Sequence, residues 1–137
     1  MIIHAYDPGE TTGHAIYNAS NHKFVTAGDF PDMQEVGMWG QPDLVIIEAF
    51  KLYSWKANSK KWSSFPEVEV IGALKFWCLR NNVKFVEQGA DCKQLFSDDK
   101  LKALNLWKSY SRHARDAMRH ALYYTTCAGD TFWLEKL

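Results

Sequence analysis

The alternation of apolar and polar positions divides the chain into a readable order of elements. Ile2 to Asp7 is apolar enough for a buried strand and is cut off by Pro8-Gly9. Thr12 to Asn18 and Lys23 to Phe30 read as two more strands, joined by the turn-prone Ala19-Ser20-Asn21-His22. Pro31 to Trp39 is a short helix or a loop. Asp43 to Phe50 contains Leu44-Val45-Ile46-Ile47, the near-continuous apolar run of a strand covered on both faces. The stretch 51–65 is polar, basic and aromatic, hence a loop. A helix starts at Pro66 with Glu67 and Glu69 in its first turn, repeats Val70, Leu74 and Trp77 or Cys78, and ends at Asn81-Asn82. Val83 to Glu87 is a short strand, and residues 91–96 and 99–107 are short helices around Ser97-Asp98. The last helix has the clearest period: Ala114, Ala117, Met118, Ala121, Leu122 and Thr125 fall on one face.

Short connections between the first three strands predict an antiparallel meander, and the two strand–helix units that follow predict parallel additions to it. The expected fold is α/β: a mixed five-stranded sheet, three-strand antiparallel meander plus two parallel strands, flanked by helices. That is the layout of the ribonuclease H-like fold. One domain over residues 1–137 is expected, since a chain of 137 residues can bury a sizeable core without disulfides.

Composition adds little until its distribution is considered. Sixteen Lys+Arg balance sixteen Asp+Glu, which as a total argues against a generic basic nucleic-acid binder and against a polybasic membrane binder. The charges are segregated, however. Residues 1–50 hold seven acids and one base, Lys23. Residues 49–66 hold Lys51, Lys56, Lys60 and Lys61 and no acid, and residues 100–120 hold six bases against Asp116. A hydrophobic content of 47% with only four prolines rules out disorder. The three cysteines, Cys78, Cys92 and Cys127, lack a C-x-x-C spacing and read as free thiols of a reducing compartment. No signal-peptide pattern opens the sequence and no run approaches the length of a membrane span, so a cytoplasmic location is expected.

Two acids stand out because each closes an apolar strand. Asp7 projects where Pro8-Gly9 turns the backbone away; an Asx-turn role is the alternative. Glu48 ends the Leu44–Ile47 run, where a carboxylate is costly to bury unless paired. If these strands are parallel neighbours, both carboxylates emerge at one sheet edge and invite a hard divalent cation, with a buried salt bridge as the other possibility. On the last helix His113 and Asp116 are i, i+3 neighbours, His120 lies further along their stripe, and Arg112, Arg115 and Arg119 run beside it. Asp7, Glu48, Asp116 and His113 form a candidate metal set, and its oxygen ligands favour Mg²⁺ or Mn²⁺ over zinc.

Three segments carry a family resemblance. Ile3-His4-Ala5-Tyr6-Asp7-Pro8-Gly9-Glu10-Thr11-Thr12-Gly13-His14-Ala15 resembles the Asp-Pro-Gly…Thr-Gly opening of the RuvC family of Holliday-junction resolvases. Leu44-Val45-Ile46-Ile47-Glu48 resembles its second acidic strand, and His113-Ala114-Arg115-Asp116-Ala117-Met118-Arg119-His120-Ala121 its last catalytic helix, with phage-encoded members nearest. The resemblance implies metal-assisted phosphodiester hydrolysis with two Mg²⁺ ions, or Mn²⁺ in their place, leaving 5′-phosphate and 3′-hydroxyl ends. Asp7, Glu48 and Asp116 would be the metal-binding carboxylates. His113 stands where many members have a fourth acid, and is a ligand or a base. Implied partners are branched DNA, four-way junctions above all, and a second copy of the chain, since symmetric nicks need two sites.

The DNA would be held by the 51–65 loop, whose Lys51, Lys56, Lys60 and Lys61 suit phosphates and whose Trp55 and Trp62 suit unpaired bases. Phe65, at a helix start, is a core residue as readily as a wedge. Lys93 and Lys100 fall where family members place DNA-contacting lysines, and Arg115 is a further phosphate contact. Other readings stay open: a nuclease of this fold acting on flaps, forks or RNA–DNA hybrids, a non-catalytic branched-DNA-binding module, and an actin-like phosphate-loop ATPase, which would need a second such domain.

Overall fold

The computed structural model describes residues 1–31, 40–51 and 65–137. Five strands, β1 (Ile2–Asp7), β2 (Thr12–Asn18), β3 (Lys23–Phe30), β4 (Leu44–Glu48) and β5 (Lys84–Gln88), form one sheet in the order β3-β2-β1-β4-β5. β1–β2 and β2–β3 pair antiparallel, while β1–β4 and β4–β5 pair parallel. The meander and the two parallel additions are thus both present, in the ribonuclease H-like arrangement. The strand expected over 43–50 is limited to Leu44–Glu48, and that expected at 83–87 runs one residue later, Lys84–Gln88.

Five helices surround the sheet among the described residues: α1 (Pro66–Arg80), α2 (Cys92–Leu95), α3 (Asp98–Ala103), α4 (Arg112–Cys127) and α5 (Phe132–Glu135). The helix expected over 99–107 stops at Ala103, where Leu104 caps it and Asn105 takes a positive φ of 58°. The four-residue α5 lies beyond the periodic pattern that marked α4. The segment after Pro31, expected as helix or loop, lies outside the described residues from 32 to 39.

Side-chain alternation divides the core between the two faces of the sheet. Tyr6, Val45 and Ile47 turn to one face and pack under Val70, Ile71, Leu74 and Cys78 of α1. Ile3, Ala5, Leu44 and Ile46 turn to the other and meet Ala121 of α4, while Ala15 on the same face packs with Ala117, Met118 and Leu122. The small alanines of α4 let the helix lie close on the sheet. Gly13 does the same from β2: a Cβ there would come within 2.0 Å of the His113 backbone oxygen. Gly13→Ala is therefore expected to push the first turn of α4 off β2, at a cost of roughly 1–3 kcal/mol. A denaturation midpoint equal to that of the unmutated protein would contradict it.

α1 is apolar on its outer side as well. Val68, Phe76 and Leu79 are 48%, 65% and 69% exposed, and Gly72 between them has open space where a side chain would stand. No helix among the described residues is long and apolar enough to cross a membrane.

Candidate metal and nucleic-acid site

Strand parity brings the acids together. The β1–β4 register pairs Ala5 with Ile46 and Tyr6 with Ile47, so Asp7 and Glu48 are the next residues along, on the face that α4 covers. β1 stops there because Pro8 follows, and Gly9 and Thr12 close the turn, the Thr12 hydroxyl donating to the Gly9 carbonyl at 3.2 Å. α4 begins just above. Its N-cap, Ser111, accepts from the Ala114 amide at 3.1 Å, which places His113 and Asp116 over the strand ends.

The four residues meet there. His113 Nδ1 lies 3.5 Å from Asp7 Oδ2, with the His113 side chain 43% exposed at the mouth of the site. Asp7 and Glu48 share a hydrogen bond. Burial, and then the charge of Glu48, push the Asp7 carboxyl up to about 8. Burial also pushes Glu48 upward, but hydrogen bonds from His120 and Asp7 and the charges of His120 and Lys93 outweigh it and hold Glu48 at about 2. One proton thus stays on the pair, with Asp7 its main holder.

Lys93 is the cation of this centre. Its Nζ lies 3.2 Å from Glu48 Oε2, 3.3 Å from Glu48 Oε1 and 3.1 Å from Asp116 Oδ2. Of the two possibilities open for the acids, the structure contains the salt bridge, supplied by a residue 45 positions from Glu48. The lysine assigned to DNA contact is therefore tied to carboxylates here. Asp116 is also held from behind: Arg119 Nη1 donates to it at 2.6 Å, while Arg119 Nε donates to the Phe96 carbonyl at 2.7 Å and its other nitrogen pairs with Asp98. Arg119, one of the three arginines beside the His113 and Asp116 stripe, is buried.

The donor set fits a hard divalent cation. Carboxylate oxygens from Glu48 and Asp116 already converge on one positive centre, the Lys93 ammonium, with Asp7 adjoining Glu48. Among the described residues no three His, Cys, Asp or Glu side chains form a ready-made metal cage. As they stand, Glu48 and Asp116 are spaced around a lysine.

Beside Asp7 and Glu48 an open cleft of about 840 Å³ is lined by Pro8, Phe50, Lys51 and Gln94. A second groove, of about 730 Å³, is lined by Lys93, Lys102, Trp107, Arg112 and Arg115 together with the acids Asp98, Asp99 and Asp116. Arg115 donates to the Tyr110 carbonyl at 2.6 Å and lies 3.7 Å over the Trp107 ring, which Lys102 approaches to 4.7 Å. Lys51 thus opens on the cleft and Arg115 on the groove. Lys100 is turned elsewhere, donating to the Leu95 carbonyl at 2.8 Å. Phe65 is half-buried against Phe50, ring centroids 5.4 Å apart. Trp55, Lys56, Lys60, Lys61 and Trp62 lie outside the described residues.

Sequence reasoning missed the supporting residues Arg119, His120, Gln88 and Cys92. Only His120 had a signal: a polar residue next to Ala121, on the stripe of His113 and Asp116 yet within the apolar stretch of the helix.

No protein-family model matches the chain, and no curated protein does either. Solved structures do. Thermus thermophilus RuvC in complex with a Holliday-junction substrate is similar at a TM-score of 0.66 and 15% identity, over 93% of this chain and 94% of that one. A second Thermus thermophilus RuvC structure matches at a TM-score of 0.58 and 16% identity, over 93% and 95%. The Fowlpox virus resolvase, in complex with Holliday-junction DNA, matches at 0.54 and 15%, over 91% and 99%. At these identities the likeness establishes the fold, the ribonuclease H-like fold that RuvC has.

Proposed function

We propose that this chain is a metal-dependent nuclease for branched DNA, one domain over residues 1–137, with the four-way junction as its substrate and the cytoplasm as its place of action. One observation carries the reading. Glu48 and Asp116, from a strand end and a helix, converge on a single cation, the Lys93 ammonium, with Asp7 of the neighbouring strand end against Glu48, on the fold of two proteins solved with Holliday-junction DNA.

In this reading Asp7, Glu48 and Asp116, with His113 beside Asp7, hold Mg²⁺ or Mn²⁺. A divalent cation, when bound there, neutralises phosphodiester charge and lowers the pKa of a water. The chain supplies the rest. Arg119 and His120 keep the Asp116 and Glu48 carboxylates aimed. Once those acids are otherwise engaged, the Lys93 ammonium is available to a phosphate. His113, at the exposed mouth, completes the ligand set or takes a proton from the attacking water. Lys51 and Arg115 neutralise flanking phosphates, Lys100 stiffens the turn after α2, and Trp55, Lys56, Lys60, Lys61 and Trp62 grip the DNA after the Glu48 strand.

Cleavage of a four-way junction beside a flap, a fork and an RNA–DNA hybrid in Mg²⁺ tests the reading. Paired symmetric nicks in the junction support it. Preferential cutting of the other substrates shifts the assignment to them, and binding without turnover makes the chain a DNA-binding module.

Two symmetric nicks call for two copies, and the outer side of α1 suits a two-fold partner. In an antiparallel pairing Phe76 of one copy falls over the open Gly72 of the other, and the exposed Glu69 nears the exposed Arg80. Phe76→Glu is expected to leave a folded monomer that nicks one strand at a time, as sedimentation and nick mapping would report. A dimer that persists would rule this face out.

A further inference from the structure

We propose that His120 is a positioning residue: its ring fixes the direction of the Glu48 carboxylate and thereby sets how tightly the acid centre holds a divalent cation. This rests on the metal reading above.

The ring is fully buried, in the middle of α4 over the ends of β4 and β5. Glu48 and Gln88 are register partners in the parallel β4–β5 ladder, so their side chains rise on the same face, and His120 meets both. Its Nε2 lies 3.0 Å from Glu48 Oε2. An ionised carboxylate only accepts, so Nε2 carries the hydrogen of this bond. Nδ1 lies 2.9 Å from Gln88 Oε1 and 3.2 Å from Cys92 Sγ.

Both ring nitrogens are therefore engaged, by partners from β4, β5 and α2, and the ring cannot turn without leaving a buried polar atom unmatched. Lys93 also holds Glu48, but its side chain is 30% exposed and stands on a single helical turn. Lys93 can exchange partners; His120 cannot. Fixed hydrogen-bond partners of metal-ligating carboxylates typically matter by 10–100-fold in metal affinity.

The test is Mn²⁺ binding to the DNA-free full chain, followed by electron paramagnetic resonance. His120→Leu is expected to weaken Mn²⁺ by roughly 10–100-fold. His120→Gln, whose amide reaches the position of Nε2, is expected to recover most of that loss, and His120→Asn, which is too short, is not. In a Glu48→Gln background His120→Leu is expected to have no further effect. An unchanged affinity in His120→Leu, or the same loss with and without Glu48, would overturn the proposal. Should His120→Leu fail to fold, the Gln and Asn variants decide, and equal affinities overturn it. Unmutated protein that binds no Mn²⁺ would overturn the metal reading and His120's role together, an outcome distinct from the others.

Discussion

Asp7→Asn is expected to abolish Mg²⁺-dependent cleavage, by about 1,000-fold or more, and to stabilise the metal-free protein at pH 8. The two effects share one cause. Burial and the charge of Glu48 raise Asp7 from its ordinary 3.8 to about 8. Between those values the folded state keeps a proton that the unfolded chain has released, so stability falls as pH rises through the window. His4 works oppositely: burial, then the charge of His14, lower it from 6.5 to about 4, and its contribution is lost as pH falls through that range. The His4 window closes at about pH 6.5, and the Asp7 slope continues above it to about pH 8. An asparagine carries no charge to bury, and the variant should melt roughly 5 °C higher at pH 8 while losing the slope. Melting curves across pH, in chelator, check this; a variant that melts lower at pH 8 and keeps the slope would contradict it.

Lys93→Met is expected to move metal affinity and DNA cleavage in opposite directions. The ammonium lies 3.1–3.3 Å from oxygens of Glu48 and Asp116 and neutralises them. Without it the carboxylates face one another with no resident cation, and the metal-free fold loses on the order of 1–2 kcal/mol, since the pair is partly exposed. Mn²⁺ then enters without displacing a competitor, and its affinity should rise about 10-fold, against a background Coulomb term of roughly 4 kcal/mol at 4 Å for a site near the surface. DNA loses one phosphate contact, so cleavage falls and the slope of log affinity against log salt shrinks by about one. Unchanged Mn²⁺ affinity would show that Lys93 does not compete with metal.

The fold was legible wherever one face of an element is buried along its whole length. β1, β4 and α4 announce themselves because Ile3, Ala5, Leu44, Ile46, Ala117 and Ala121 must all meet in one core. Asp7 and Glu48 were legible for the converse reason, as acids that close apolar strands. The partners of those acids were not. Lys93 stands on a four-residue helix too short to show a period, and its contact with Glu48 depends on how the chain returns after β5. Arg119 reads as one of three arginines on a stripe, yet Asp116, Asp98 and the Phe96 carbonyl together satisfy its charge inside the protein. Such burial follows from three-dimensional pairing, which periodicity does not encode.

The most direct test of the central claim, that these acids hold the metal of a phosphodiesterase, is a crystal of the chain soaked in Mn²⁺ and measured at the manganese absorption edge. The expected result is anomalous density among Asp7, Glu48 and Asp116, with the Lys93 ammonium moved away from both Glu48 and Asp116. Density absent from that space, with Lys93 still 3.1–3.3 Å from the two carboxylates, would contradict it.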